Sequence, residues 1–310
     1  MKRNLKSYTL ILLKGIAMGM ADVVPGVSGG TIAFIVGIYQ ELLSSIAAIN
    51  LNSLKTLINK GFKSFWESIN GSFLLSLLIG ILVSIVVFAS IISYLLENHS
   101  ILVWSFFFGL VLSSSYLVLK QLPKWNFKTT LFLIIGMLLA YFLSTLQPLV
   151  VENSSNWMLF FAGALAICAM ILPGISGSFI LLLLGAYKPV LDAVNNRDFE
   201  IIAFIASGAI VGLLSFSKLL KWLFDKYNGI MLALLSGFII GSLNKIWPWR
   251  NLQETKVVAD KIVVISEQRV LPANYLGDPQ FTEALLLMAA GFIFIFLVEK
   301  LSINLAKKQG

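Results

Sequence analysis

The chain has 310 residues, of which 58% are hydrophobic and only 12% charged, and its mean hydropathy is +0.90. This balance excludes a soluble globular domain and points to a polytopic membrane protein. The net charge of +8 invites a nucleic-acid reading, but the basic residues are scattered in short loops between apolar runs, as membrane topology places them, so no nucleic-acid partner is expected.

The first apolar stretch covers residues 5–22, interrupted only by Lys14 and Asp22. Lys2, Arg3 and Lys6 ahead of it resemble the start of a signal peptide, but the stretch is read as retained because a repeated motif begins inside it. A break follows at 25–30, then a second apolar arm from Thr31 to Ile49. Neither arm reads as a full span, so 5–49 is expected to be a re-entrant hairpin. In residues 50–70, Leu54, Leu57, Ile58, Phe62, Phe65, Trp66 and Ile69 recur at helical spacing with Lys55, Lys60 and Lys63 between them. That pattern predicts a basic amphipathic helix lying on an anionic membrane surface. It also fits an ordinary cytoplasmic connector.

Three spans are predicted next, at 71–96, 101–119 and 129–147; Gly71 to Leu96 holds 26 residues without a charge. The second half, 151–310, repeats the order of the first, 1–150. A broken apolar hairpin covers 157–191, with 31 uncharged residues from Trp157 to Tyr187. Spans follow at 201–217, 229–246 and 281–299. The loop 251–280 alternates apolar and polar residues, which suggests a small β-hairpin over the outer face.

Loop charge sets the expected orientation. With the N-terminus inside and each hairpin not crossing, segments 1–14, 50–70, 120–128, 218–226 and 300–310 hold sixteen of the 23 Lys and Arg. The other seven are Lys188, Arg197, Lys245, Arg250, Lys256, Lys261 and Arg269. Both termini are therefore placed in the cytoplasm. Each half then crosses three times, so the second half enters upside down. The expected fold is an all-α polytopic membrane protein of two inverted-topology repeats, each a re-entrant broken-helix hairpin plus three transmembrane helices.

The repeated motif is Ala21-Asp-Val-Val-Pro-Gly-Val-Ser-Gly-Gly-Thr31, which recurs 148 positions later as Ala169-Met-Ile-Leu-Pro-Gly-Ile-Ser-Gly-Ser-Phe179. The match extends to Gly15 with Gly163, Gly37 with Gly185 and Tyr39 with Tyr187, and Phe108–Ser114 echoes Ser236–Ser242. Proline and glycine break helices, and broken backbone at membrane depth is tolerated only where it is buried in protein or lines a polar cavity. A Gly- and Ser-rich tip lets backbone N–H groups converge, and the helix after it starts with free donors and a partial positive charge. This is chemistry suited to an anion, phosphate above all. The candidate binding residues are Pro25, Gly26, Ser28, Gly29, Gly30 and Thr31 in the first copy, and Pro173, Gly174, Ser176, Gly177 and Ser178 in the second. One such motif alone would more simply mean tight helix packing; two in matching breaks favour a site.

Asp22 and Glu41 are the only acids clearly within membrane-depth segments, and intramembrane carboxylates are costly unless they work. Asp22 is a candidate proton carrier or a helix cap. Glu41, at the far end of its arm, is a weaker candidate that also reaches the interface. The single histidine, His99, excludes histidine-cluster metal sites and catalytic triads, and the single cysteine, Cys168, excludes an intrachain disulfide. No metal, cofactor or catalytic residue is expected.

Gly19-Met-Ala-Asp-Val-Val-Pro-Gly-Val-Ser-Gly-Gly-Thr-Ile-Ala-Phe34, with Gly37-Ile-Tyr39 and Glu41, resembles the first signature of the bacterial polyprenyl-phosphate transporters, the PopT family. Met170-Ile-Leu-Pro-Gly-Ile-Ser-Gly-Ser-Phe-Ile180, with Gly185-Ala-Tyr187, resembles the second; the chain departs from the first copy at Lys188-Pro189, which leaves that arm without a carboxylate. The resemblance implies translocation of undecaprenyl phosphate across the cytoplasmic membrane, recycling a lipid carrier used in cell-wall and surface-glycan synthesis. The implied partners are that lipid and the surrounding bilayer; a homo-oligomer is left open. The alternatives are a polyprenyl-diphosphate phosphatase and a small-anion carrier. The phosphatase reading lacks a charge clamp, since Gly29 and Gly177 stand where one such family places an arginine and no glutamate pair is present.

Overall fold

The computed structural model describes residues 4–24, 27–146, 155–258 and 261–307, with backbone alone over 254–258, 261–266, 298 and 301–307. The helices are α1 (Leu5–Val23), α2 (Gly29–Ile35), α3 (Tyr39–Ala47), α4 (Leu51–Ser68), α5 (Gly71–Asn98), α6 (Ser100–Lys120) and α7 (Phe127–Thr145). They continue with α8 (Asn156–Ile171), α9 (Gly177–Leu183), α10 (Tyr187–Asn196), α11 (Phe199–Ser242) and α12 (Phe281–Lys307), with strands β1 (Arg250–Val258) and β2 (Lys261–Arg269) between the last two. Among the described residues α5, α6, α7 and α11 are long and apolar enough to cross a membrane, and α12 carries a shorter apolar stretch, Phe281–Leu297. Val86, Leu138, Phe142, Leu286 and Ile293 point outward from these helices, an arrangement that is stable only if the solvent on that side is lipid. The chain is a multi-pass membrane protein.

The structure departs from the sequence expectations at three bends. Each arm after a break is two helices, not one: α2 and α3 are bent by 116°, α9 and α10 by 107°. The bends sit at Gly37 (φ +71°) and Gly185 (φ +67°), a backbone region that a side chain disfavours and glycine enters freely. The stretches 201–217 and 229–246 are not separated by a loop; α11 runs for 44 residues and leaves helical geometry only at Tyr227 (φ −133°, ψ 42°). The amphipathic helix α4 kinks at Gly61 (φ +77°) and leaves Ile58 and Phe62 82% and 64% exposed, with Lys55, Lys60 and Lys63 beside them. A face that is both apolar and basic fits the headgroup region.

Small residues bring the helices into backbone contact. Gly15 of α1 backs onto the Leu77 carbonyl of α5, and Gly80 of α5 onto the Leu12 carbonyl of α1. The second half repeats this contact for contact: Gly163 backs onto the Ile205 carbonyl and Gly208 onto the Phe160 carbonyl. The remaining helices pair across the halves. Gly109 of α6 backs onto Met288 of α12 and Gly291 onto Phe106, while Gly237 of α11 backs onto Leu133 of α7 and Gly136 onto Leu234. These two sets also correspond position for position.

The contacts give direction too. Gly15 meets Leu77 and Gly19 meets Ile81, so α1 and α5 run side by side in the same sense. The chain must therefore double back between them. Asn70, immediately before α5, donates through its Nδ2 to Glu41 Oε1 (2.8 Å) and Ser45 Oγ (3.3 Å) of α3, so α3 has returned to the end of the molecule where α5 starts. In the second half, Asn156 at the start of α8 donates to Glu200 at the start of α11 (2.8 Å).

β1 and β2 form an antiparallel hairpin whose base pairs Arg250 with Arg269. The base sits where four helix ends gather. Trp249 packs with Ile101 of α6 and Ala284 of α12, Asn244 after α11 donates to Ser144 Oγ of α7 (3.0 Å), and Trp249 donates to the Pro279 carbonyl (2.8 Å).

Candidate functional site

The two breaks begin in the same way. Val24 and Leu172 each precede a proline, and each is extended (ψ 118° and 131°), because the proline ring disfavours helical geometry in the residue before it. Ser28 and Ser176 are extended as well and open α2 and α9. Pro25 and Gly26 lie outside the described residues. The remaining tip residues of the two copies, so far apart in sequence, are in direct contact. The Gly174 N–H donates to Thr31 Oγ1 (2.8 Å), and Ser28 Oγ donates to the Met170 carbonyl (3.0 Å). A side chain at Gly30 would strike the Ile171 and Met170 carbonyls at 2.6 and 2.8 Å, so the first tip lies flush against the second.

The first tip is closed. Ser28 and Thr31 are each 1% exposed, and Gly29 and Gly30 are buried. Its donors already have partners: the Gly29 N–H donates to Asp22 Oδ1 (2.7 Å) and the Gly30 N–H to Ser28 Oγ (3.1 Å). Asp22, in the last turn of α1, is thus a tethered anion at the start of α2. Glu41 makes no hydrogen bond to either tip; in the first turn of α3, beyond the α2–α3 bend, it accepts from Asn70. Lys14 donates to the Val36 carbonyl (2.8 Å) and so ties the α2–α3 bend back to α1.

The second tip is open by comparison. Ser178 is exposed, and Ser176 and Gly177 are partly so. The Ser176 and Ser178 hydroxyls bond each other (2.8 Å), and Ser176 places no side-chain cap on the first turn of α9. The two tyrosines of the repeat differ in the same sense. Tyr39 is buried edge-on between Phe34 (4.9 Å) and Phe224 (5.8 Å), whereas Tyr187 is partly exposed.

Four residues near the second tip are absent from the sequence-based candidates. Lys245, Arg250 and Arg269 converge on Glu267, with N–O distances of 3.3, 3.1 and 3.7 Å. Lys245 also lies over the Phe179 ring (4.8 Å), two residues past Gly177, and Arg250 over Trp104 (4.1 Å). Burial alone would raise the Glu267 carboxyl, but the charges of Arg250, Lys245 and Arg269 outweigh it and hold the group below the usual carboxylate range. The only sequence sign of this cluster was a pair of arginines flanking a predicted hairpin.

The family described as undecaprenyl phosphate translocase-like matches over residues 18–263. A polyprenyl-phosphate transporter of Vibrio cholerae serotype O1 is 45% identical over 299 residues, covering 95% of this chain and 97% of that protein. A polyprenyl-phosphate transporter of Staphylococcus aureus is 32% identical over 254 residues, covering 76% of this chain and 85% of that protein. No solved structure matches. The chain belongs to the undecaprenyl phosphate translocase-like family, a family of transporters and not of enzymes.

Proposed function

We propose that this protein carries undecaprenyl phosphate across the bacterial cytoplasmic membrane and returns the lipid carrier's headgroup to the cytoplasmic leaflet. The reading rests above all on the contact between two matched Pro-Gly-x-Ser-Gly breaks, Gly174 to Thr31 and Ser28 to Met170. The names of the Vibrio and Staphylococcus relatives supply the substrate class.

In this reading the halves are inverted-topology repeats with both termini in the cytoplasm. The parallel course of α1 and α5, the return of α3 to Asn70, and the repeated glycine contacts all support it. The first tip enters from the cytoplasmic side and the second from the side of the β-hairpin. The phosphate is held by backbone N–H groups and hydroxyls of the two tips. Neutral donors of this kind hold a phosphate more weakly than charged ones, which favours its release from the tips.

The state described is closed at the first tip and open at the second. The headgroup therefore meets Ser176, Gly177 and Ser178 first. To reach Gly29 it must displace the Asp22 carboxylate, which occupies the same donor. Protonation of Asp22 removes the repulsion between two anions and weakens its hold on Gly29, so a proton moves with the phosphate.

The test is uptake of a labelled polyprenyl phosphate into proteoliposomes. The native protein should move the phosphate lipid and leave the uncharged polyprenol unmoved. Gly30→Ala overpacks the tip contact by about 1–3 kcal/mol, which should lower transport by about tenfold or more. Native transport by Gly30→Ala would remove the paired tips from the mechanism.

A further inference from the structure

The basic cluster at the hairpin base is not used by the reading above, and its surroundings are those of a binding site. Beside it an open cavity of about 410 Å³ is lined by Phe108, Leu243, Asn244, Trp247, Arg269, Val270 and Leu271. Its walls are mostly apolar, and the one charged side chain lining it is Arg269. The Arg269 Nε donates to the Asn244 carbonyl (2.7 Å) and its Nη2 to the Ser144 carbonyl (3.3 Å), so the plane of the guanidinium is fixed. Its Nη1 has no partner among the described residues. Lys245, Arg250 and Arg269 are only 25%, 11% and 21% exposed, and among the described residues Glu267 is the one carboxylate they share. Charges held this far from water need counter-charges, and among the described residues three cations share one carboxylate, an excess of two positive charges.

The cluster is also connected to the second tip. Gly174 lies against the Phe238 carbonyl and Ser242 Oγ at the end of α11, and the next residues are Leu243 and Asn244 of the cavity wall and Lys245 of the cluster. Lys245 then returns to the tip through its contact with Phe179.

We propose that Lys245, Arg250 and Arg269 form a capture site for a phosphate monoester dianion, with the apolar cavity beside Arg269 receiving the first carbons of the ester. The site holds the headgroup at the helix ends before it passes to Ser176–Ser178. A guanidinium matches the geometry of phosphate oxygens, and Glu267 holds the cations together and moderates their pull, so that the headgroup is passed on. This inference rests on the transport reading for the identity of its ligand. Its chemistry would also accept free phosphate.

The experiment measures binding by the full-length protein in nanodiscs, by calorimetry, with a short-chain prenyl phosphate, inorganic phosphate and the matching prenol as probes. The prenyl phosphate should bind, more weakly as salt rises, and the prenol should not. Arg269→Gln should weaken binding about tenfold, with Arg269→Lys between it and the native protein. Glu267→Gln should tighten it about threefold or more, a direction that damage to the fold would not produce. Tighter binding of prenyl phosphate than of inorganic phosphate assigns the site to a lipid headgroup, and equal binding assigns it to phosphate alone and removes the cavity from the proposal. Unchanged affinity in both Arg269→Gln and Glu267→Gln would overturn it. Uptake assays separate the two readings. Arg269→Gln should raise the half-saturating lipid concentration with little change in maximal rate, whereas Gly30→Ala should lower the maximal rate. If Gly30→Ala transports normally while Arg269→Gln still weakens binding, the tip reading fails and the capture site stands.

Discussion

At the scale of single residues, Asp22 fills one of the two roles that the sequence left as alternatives. It caps α2 by accepting from Gly29 (2.7 Å), and this cap occupies a donor proposed for the phosphate. A purely structural cap and a proton carrier give different pH behaviour. Asp22→Asn keeps an oxygen for the Gly29 N–H but loses the charge. Its transport rate should vary less with pH than the native rate, while prenyl-phosphate binding is retained and no weaker than native, because the competing anion at Gly29 is removed. Rates measured from pH 5.5 to 8.5 in matched proteoliposomes decide this. A native pH profile in Asp22→Asn would leave Asp22 as a cap alone. Glu41, by contrast, serves Asn70, the left-handed residue (φ 55°) just before α5, from the first turn of α3, beyond the α2–α3 bend.

At the scale of elements, the β-hairpin is held to the helix ends by buried tryptophans and one ion cluster. Trp247 donates to the Val270 carbonyl (2.8 Å) and Arg250 Nη1 donates to both Glu267 carboxylate oxygens (3.3 and 3.1 Å). The Glu267 carboxyl is held below its usual range, so the folded state binds its proton more weakly than the unfolded chain does. Its contribution to stability is therefore complete above the ordinary glutamate range and is lost as pH falls through the depressed value. The melting temperature of the native protein in detergent should exceed that of Glu267→Gln at pH 7, and the gap should close only once pH falls below the ordinary glutamate range. A gap that already closes near pH 6 would mean that another group carries the effect.

At the scale of the whole molecule, the repeated glycine contacts tie the two halves together. α6 pairs with α12 and α7 with the end of α11, so each half lends its last helix to the other. This exchange keeps the tips opposed while leaving α1 with α5 and α8 with α11 as two similar units. The inverted arrangement predicts that single cysteines at Ser53 and Lys124 label only after permeabilisation, whereas one at Asn274, beside the hairpin, labels from outside in intact cells. Labelling of Ser53 and Lys124 on opposite faces would refute the arrangement.

Much of this was legible in the sequence because the physics that writes it is local. Apolar runs longer than a bilayer is thick, two prolines that force Val24 and Leu172 out of helical geometry, and serines ready to open the next helix are all set by neighbours in the chain. The bends at Gly37 and Gly185 were also written there, as matched glycines, but short apolar arms carry no periodicity that separates one helix from two. Contacts between distant segments were not legible. That Gly174 donates to Thr31, that Asp22 occupies Gly29, and that one tip is shut while the other is open depend on how helices with interchangeable apolar faces choose partners. The basic cluster is the clearest case. Lys245, Arg250, Glu267 and Arg269 look like scattered loop charges until an antiparallel register and the end of α11 bring them together beside the second tip.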